Sequence, residues 1–422
     1  MSGVRTVATG RWGRLLPEPG PVRTLALATL INTAGRGIFF TLSALYFTRI
    51  LGFSVVSVGV GLSVAAAFGV LAGIPMGHLG DRRGPREVLV ALTALETVFS
   101  ALLLLVDSYW QFVLIASVVT FLDRGAGAVR AGLIGGVVKG PSRARTRAYL
   151  RSVTNIGITM GSAIAAVALH FDSRAAYVSV LYIDVATYGV CALLQLRLPH
   201  VEPAHQDDTA SMFAATKDVP FVVVTLVVSV LNMHYWIGEI AMPLWVVNDT
   251  AAPRWLVSVL LILNTVTVVI FQVFVASRIG TIKAAVRATV VSGVLFVAAC
   301  AVFGASGSAT VIGATVLLVI AASLHVTGEI FQASASFVFG YDFAPDHAQG
   351  QYQGLYGMGF AVSGMLAPTV IALLPLRMGV PGWWILAGIL LAAALATVPA
   401  AAWATRTRER YGVSVEPIPT GE

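Results

Sequence analysis

Twelve long apolar stretches follow one another along the chain, separated by short polar or glycine-containing intervals. Their limits fall near residues 22–47, 56–76, 87–106, 110–131, 149–169 and 176–196, then 219–246, 255–276, 285–304, 310–332, 352–375 and 384–404. About 20 apolar residues in a helix span a hydrocarbon core roughly 30 Å thick. The stretches are too long and too uniformly apolar for the alternating strands of a membrane barrel, so each is expected to be a helix. The pattern also repeats. Asn32, Arg36, Phe39 and Ser43 follow steps of four, three and four, and Asn232, Trp236, Glu239 and Pro243 repeat those steps 200 residues later. Such steps define one face of a helix. "DRRG" at Asp81–Gly84 is echoed by "SRIG" at Ser277–Gly280, 196 residues on, and Tyr149 and Gly161 by Tyr352 and Gly364, 203 residues on. The expected fold is an all-α membrane protein of twelve transmembrane helices in two pseudo-symmetric six-helix halves, 22–196 and 219–404. A polar linker, 197–218, containing "HVEPAHQDD", joins them, and tails 1–21 and 405–422 flank them.

Composition agrees with a bilayer. A chain of 422 residues that is 57% hydrophobic, 11% charged and has a mean hydropathy of +0.84 carries more apolar surface than a soluble core absorbs. The first 21 residues hold Arg5, Arg11 and Arg14 without the short apolar core or cleavage site of a signal peptide, and read as a retained tail. With both termini in the cytoplasm, inside segments hold 21 of the 27 Lys and Arg; outside loops hold Arg49, Arg174, Arg254 and Arg377, and Arg36 and Arg124 lie within spans. This asymmetry fixes the orientation and accounts for the net charge of +7 without any nucleic-acid partner. Cys191 and Cys300 fall inside apolar spans and read as small buried hydrophobes rather than a disulfide or redox pair. Arginine outnumbers lysine 24 to 3, which suggests a high-GC bacterial gene and leaves the sequon Asn248-Asp249-Thr250 idle. The expected location is the bacterial cytoplasmic membrane.

Charge concentrates in one place. "GHLGDRRGPR", after the second span, resembles the signature of the major facilitator superfamily, G-x-x-x-D-R-x-G-x-R, with Gly77, Asp81, Arg82, Gly84 and Arg86 in its places. The resemblance implies a cytoplasmic latch that holds two halves in the outward-open state and releases as they rock. A carboxylate at a helix N-terminus gains about 0.3 to 1 kcal/mol, which suits Asp81 to such a position, and the glycines permit a tight turn and close approach. "YQGLYGMGF", entering the eleventh span, is similar to the drug-efflux branch. The fifth-helix motif of that family's antiporters, G-x-x-x-G-P-x-x-G-G, is degraded here to "GITMGSAIAA", which keeps Gly157 and Gly161 as small residues for helix packing. The fourth-helix pattern R-x-x-Q-G-x-G-A becomes "FLDRGAGA", with Phe121 where the arginine belongs and Arg124 one turn on.

An ionisable residue at mid-bilayer costs at least about 2.5 to 3.5 kcal/mol on insertion scales, so each one inside a span is a functional candidate. The resemblance implies that the first, fourth, seventh and tenth helices line a central cavity, where Arg36, Asp123, Arg124, His234, Glu239, His325, Glu329 and Gln332 lie. Asn32, Arg36, Phe39, His234, Trp236, Glu239 and His325 are the expected substrate cavity, with the stripes of helices one and seven facing each other across the pseudo-two-fold axis. Asp123 can pair with Arg36 or Arg124. Glu239 and Glu329 have no basic partner on their own helices, so protons are assigned to Asp123, Glu239 and Glu329, with Arg124 beside them. Glu96 and Asp184, on the peripheral third and sixth helices, are reserves or bonds to neighbouring helices. His234 and His325 read as satisfied interior histidines rather than metal ligands.

An ATP-driven pump is excluded by the lack of G-x-x-x-x-G-K-[ST], and H-E-x-x-H and nucleophile-elbow motifs are missing as well, so no enzyme is expected. The leading expectation is a proton-coupled antiporter exporting hydrophobic drugs or secondary metabolites, hence multidrug efflux and antibiotic resistance. Symport of a small metabolite and a non-transporting sensor on the same fold are the alternatives. Expected partners are a small-molecule substrate, protons and the lipid bilayer, around a monomer with no cofactor and no metal.

Overall fold

The computed structural model describes residues 20–138, 140, 142–171, 173–203 and 211–412. Most of both tails, with Arg5, Arg11 and Arg14, and the middle of the linker lie outside the described residues. The rest is helical. Helices α1 Pro21–Leu45, α2 Val55–Arg83, α3 Pro85–Leu103, α4 Tyr109–Val137, α5 Ser142–Phe171 and α6 Arg174–Gln195 are followed by a short turn at Ala214–Lys217. Then come α7 Val219–Asn248, α8 Leu256–Ala276, α9 Ile282–Ser306, α10 Val311–Asp342, α11 Gln349–Ile371 and α12 Val380–Thr407. Eleven helices among the described residues are long and apolar enough to cross a membrane. The exception is α3, which carries Arg86, Glu87 and Glu96 within 19 residues.

Local sequence explains where the helices start. Ser54, Ser108, Ser173, Thr281 and Thr310 cap α2, α4, α6, α9 and α10 with side-chain oxygens that accept otherwise orphaned N–H groups, and Asp218 does the same for α7. Proline opens α1, α3, α7 and α12, where its missing donor costs nothing. Helix α7 is not regular. A 3₁₀ turn at Asn232–His234 and a π turn at Ile237–Ala241 interrupt it, and these irregular turns carry His234 and Glu239. Single-turn π segments occur preferentially at functional sites.

Packing is uneven from end to end. Helix α1 lies on α5 and α6, α2 on α4, and α3 on α4 and α6; later in the chain α9 lies on α10 and α12, α7 on α12, and α8 on α10. The first six helices meet the last six through α11 against α2 and α4, and through α5 against α8 and α10. These contacts gather at the end where α2 and α4 finish and α5 and α11 begin. The apolar clusters show the same asymmetry. Around Tyr46, Phe47 and Phe112 every member comes from α1–α6 or their connections, and around Trp245, Phe303 and Trp383 every member comes from α7–α12 and theirs. At the other end the clusters mix, with Ala144 of α5 packed among Phe221, Ile279 and Phe339, and Tyr341 of α10 among Leu89, Val129 and Ile134. Many large apolar side chains, such as Phe40, Val56, Ile262 and Ile312, are left exposed, as lipid-facing residues are.

Candidate functional site: a closed end and two buried charge clusters

At the closed end, α2 meets the start of α11. The first amides of a helix have no partner within it, and Ala348, preceding α11, supplies no side-chain cap. Asp81 fills that place from 269 residues away: Oδ1 accepts from the Gly350 amide at 2.8 Å and Oδ2 from the Gln351 amide at 2.9 Å. Glycines make the approach possible. A Cβ on Gly77 would run into the backbone of Gly350, and one on Gly354 into the backbone of Gly73. Gly73 and Gly77 thus face Gly350 and Gly354, spaced four apart on both helices, as in close-packed membrane helix pairs. Arg143 holds Asp346 at 2.8 Å, and the Tyr341 hydroxyl donates to the Ala131 carbonyl at 3.3 Å. The linker joins this contact, because the Gln351 side chain donates to the Ser211 and Met212 carbonyls and accepts from the Ala215 amide.

Deeper in, one arginine bridges the two sets of helices. Arg151 of α5 donates to the Tyr235 hydroxyl of α7 at 2.6 Å and to Glu329 Oε1 of α10 at 2.5 Å. Asn264 of α8 donates to the other Glu329 oxygen at 2.9 Å. The pair is mostly buried, with side-chain exposures of 17% for Arg151 and 7% for Glu329. Both carboxylate oxygens are therefore satisfied, one by each set of helices. The network continues through Gln332, which donates to Asn232 at 3.0 Å, while His325 Nε2 contacts the His234 carbonyl at 2.9 Å. His234 is fully buried and stacked on Phe296.

A second cluster lies within the first six helices. Arg36 of α1 and Asp123 of α4 pair at 3.3 Å. Glu96 of α3, Asp184 of α6 and Tyr188 of α6 are within electrostatic reach of Arg36. Glu96 and Asp184 are almost completely buried, and each has a carboxyl oxygen with no hydrogen-bond partner among the described residues. Asp184 lines a cavity of about 30 Å³ together with Phe39, Ser43, Ser100 and Tyr188, which is room for one or two waters.

Residues 25–368 match the Major Facilitator Superfamily, more than half of the chain. The chain belongs to the major facilitator superfamily. Solved transporters share the fold: a bacterial homologue of the iron transporter ferroportin, in an outward-facing state, aligns over 91% of this chain and 99% of its own with a TM-score of 0.73 at 12% identity. The fucose:proton symporter of E. coli aligns over 91% and 98% with a TM-score of 0.69 at 11% identity, and the human organic anion transporter MFSD10 over 90% and 99% with a TM-score of 0.64 at 14% identity. A search of curated protein sequences found no match. As a superfamily member the chain is a multi-pass membrane transporter of small molecules and not an enzyme.

The superfamily signature occupies the α2–α3 turn. Gly84 there has φ +94°, open to glycine, and both ends one helix and starts the next. Arg86 donates to the Leu196 carbonyl after α6, and Arg82 is exposed. Arg124 is also exposed, its stem lying over Gly69 of α2, with Asp123 in electrostatic reach. Gly157 and Gly161 bring α5 onto the backbone of α1 at Leu30 and Ala34.

Several expected neighbours are not brought together. Asn32 is buried, Arg36 turns to α4, and Phe39 lines the small cavity; Trp236 packs on Gly364 of α11, and Glu239 is exposed, with Glu329 within electrostatic reach. The stripes of α1 and α7 thus pack mainly within their own sets of helices, because among the described residues the larger contacts between the two sets gather at the closed end. Glu96 of α3 and Asp184 of α6, expected as reserves or as bonds to neighbouring helices, both lie within electrostatic reach of Arg36 of α1. The sequence reading missed Arg151, Tyr235 and Asn264. Arg151 stands with the inside cations of the topology although it falls within the fifth apolar stretch, 149–169, and a cation inside an apolar stretch is the available signal.

Proposed function

We propose that this transporter is a proton-coupled exporter of hydrophobic or amphipathic compounds, working by alternating access between two six-helix halves with both termini in the cytoplasm of a bacterial cell. Counting α3 as a span gives twelve. The observation that carries the reading is the one-sided contact between the halves. Asp81, the Gly73/Gly77–Gly350/Gly354 crossing and the Arg151–Glu329 bridge all lie on the end that the positive-inside rule assigns to the cytoplasm. The arrangement is that of an outward-open state, and the protein that aligns with the TM-score of 0.73 was captured outward-facing. Rocking then requires that these contacts break together.

Acids within the membrane-spanning helices supply the coupling. Asp123, Glu96 and Asp184 around Arg36, and Glu329 with Glu239 on the cavity side, are the proton carriers in this reading. Exposed Glu239 and partly exposed Tyr235 and Trp236 favour a positively charged, aromatic-binding substrate. Inside-out vesicles from an expressing, efflux-deficient host, loaded with protons and offered a fluorescent lipophilic cation, should accumulate the dye. Amide replacements of Asp123, Glu96, Asp184 and Glu329 are then compared one by one. Dye accumulation that is unaffected by all four would remove proton coupling from these residues, and uptake in the opposite direction would favour symport.

A further inference from the structure

The α8–α9 turn is the counterpart of the signature turn, but its chemistry differs. Ser277 stands where the first turn has Asp81, and Arg278, Lys283 and Arg287 follow it, all three exposed. With Thr281, Val291 and Phe331 they line an open groove of about 380 Å³ that no acidic residue enters. Among the described residues none of the three has an ion pair or a hydrogen bond from its side chain. Arg278 lies instead over the Phe274 ring, with Cζ 3.5 Å from the centroid. Lys283 sits in the first turn of α9, which contains no acid, so the helix dipole adds to the mutual repulsion of the cations.

One wall of the groove is lipid-facing. Val291 in that wall is 45% exposed, and Phe274, which lies under Arg278 beside the groove, is 56% exposed. An occupant must therefore bring negative charge at the membrane surface and hydrocarbon just below it. We propose that this groove binds an anionic phospholipid, with the headgroup phosphate held by Arg278, Lys283 and Arg287 and an acyl chain lying along Phe274 and Val291. Basic pockets between helices at a membrane surface are suited to such headgroups. A soluble phosphate would leave the apolar wall unused.

Native mass spectrometry of the purified full chain tests this by titration with phosphatidylglycerol, with phosphatidylcholine of the same acyl chains, and with glycerol 3-phosphate. A basic residue near an anionic surface gains about fivefold in affinity, so Arg278→Gln, Lys283→Gln or Arg287→Gln alone should weaken phosphatidylglycerol binding about fivefold and the triple variant about 100-fold. A control carrying Arg197→Gln, Arg406→Gln and Arg410→Gln, all exposed elsewhere on the protein, should bind as the parent does. Should the triple variant fail to fold, the graded single variants decide. Equal binding of the two phospholipids, an equal loss in the control, or displacement of phosphatidylglycerol by glycerol 3-phosphate would each overturn the proposal.

Discussion

Asp81→Asn isolates the cap that Asp81 places on α11. In the parent, two carboxylate oxygens accept two amides, at 2.8 and 2.9 Å. Asparagine keeps one acceptor oxygen and turns an NH₂ group toward the other amide. The variant therefore loses one charge-assisted hydrogen bond, about 1.5–3 kcal/mol, and the attraction of a charge for a helix N-terminus, about 0.3–1 kcal/mol. A loss of about 2–4 kcal/mol shifts the balance between closed and open cytoplasmic ends by about 30- to 700-fold, at 1.4 kcal/mol per factor of ten. Spin labels at Arg83→Cys and Ser277→Cys, both exposed at that end, in a background lacking Cys191 and Cys300, report the separation of α2 from α8. Double electron–electron resonance should show a new, longer population in Asp81→Asn, with a Tm close to that of the parent. An unchanged distance distribution at equal labelling would refute the capping argument.

The glycine crossing should respond in the same direction: Gly354→Ala drives a methyl into the Gly73 backbone and should weaken the closed end by about 1–3 kcal/mol, read by the same label pair. Arg151→Gln strands a buried Glu329 and should cost about 3–5 kcal/mol of the inter-helix contact, whereas Arg151→Gln with Glu329→Gln should recover much of it; additive losses in a double-mutant cycle would show that the two do not act as a pair. Arg82→Ala leaves the Asp81 cap untouched and should slow flux less than Asp81→Asn at matched expression; the reverse order would move the latch to the arginine. Asp184→Asn should abolish gradient-driven dye accumulation while leaving equilibrium dye binding within about twofold, because Asp184 lies in the small N-terminal cavity and not on the inter-helix bridge; equal loss of both would tie it to substrate instead.

What the sequence disclosed and what it hid divide along a physical line. Hydropathy is a property of consecutive residues, so all twelve stretches could be read directly, the third among them although three charges in 19 residues leave α3 outside the eleven described helices apolar enough to cross a membrane. The glycines and Asp81 of the signature were visible as a turn, but the partner of Asp81 is a pair of backbone amides, which carry no side-chain signature and lie 269 residues away. Arg151 was hidden by its neighbours: Arg143, Arg145 and Arg147 are topogenic in the ordinary way, and only the rotation of α5 shows that Arg151 turns toward Glu329. Glu96 and Asp184 stand on helices whose outer faces meet lipid, and periodicity alone could not tell which face each acid occupies. The stripe of α7 runs through 3₁₀ and π turns, which shift the steps of three and four that define one face of a regular helix, and such turns carry no signal in the spacing of apolar residues.

Alternating access itself is tested most directly by watching both ends of one molecule. Beside the pair at Arg83→Cys and Ser277→Cys, a second pair at Val56→Cys and Ile312→Cys, both exposed at the opposite end, reports the separation of α2 from α10 there. In liposomes, the parent should show a short distance at the first pair and a long one at the second, and Asp81→Asn should lengthen the first while shortening the second. Ends that move together, or a second pair that never shortens when the first lengthens, would contradict the account.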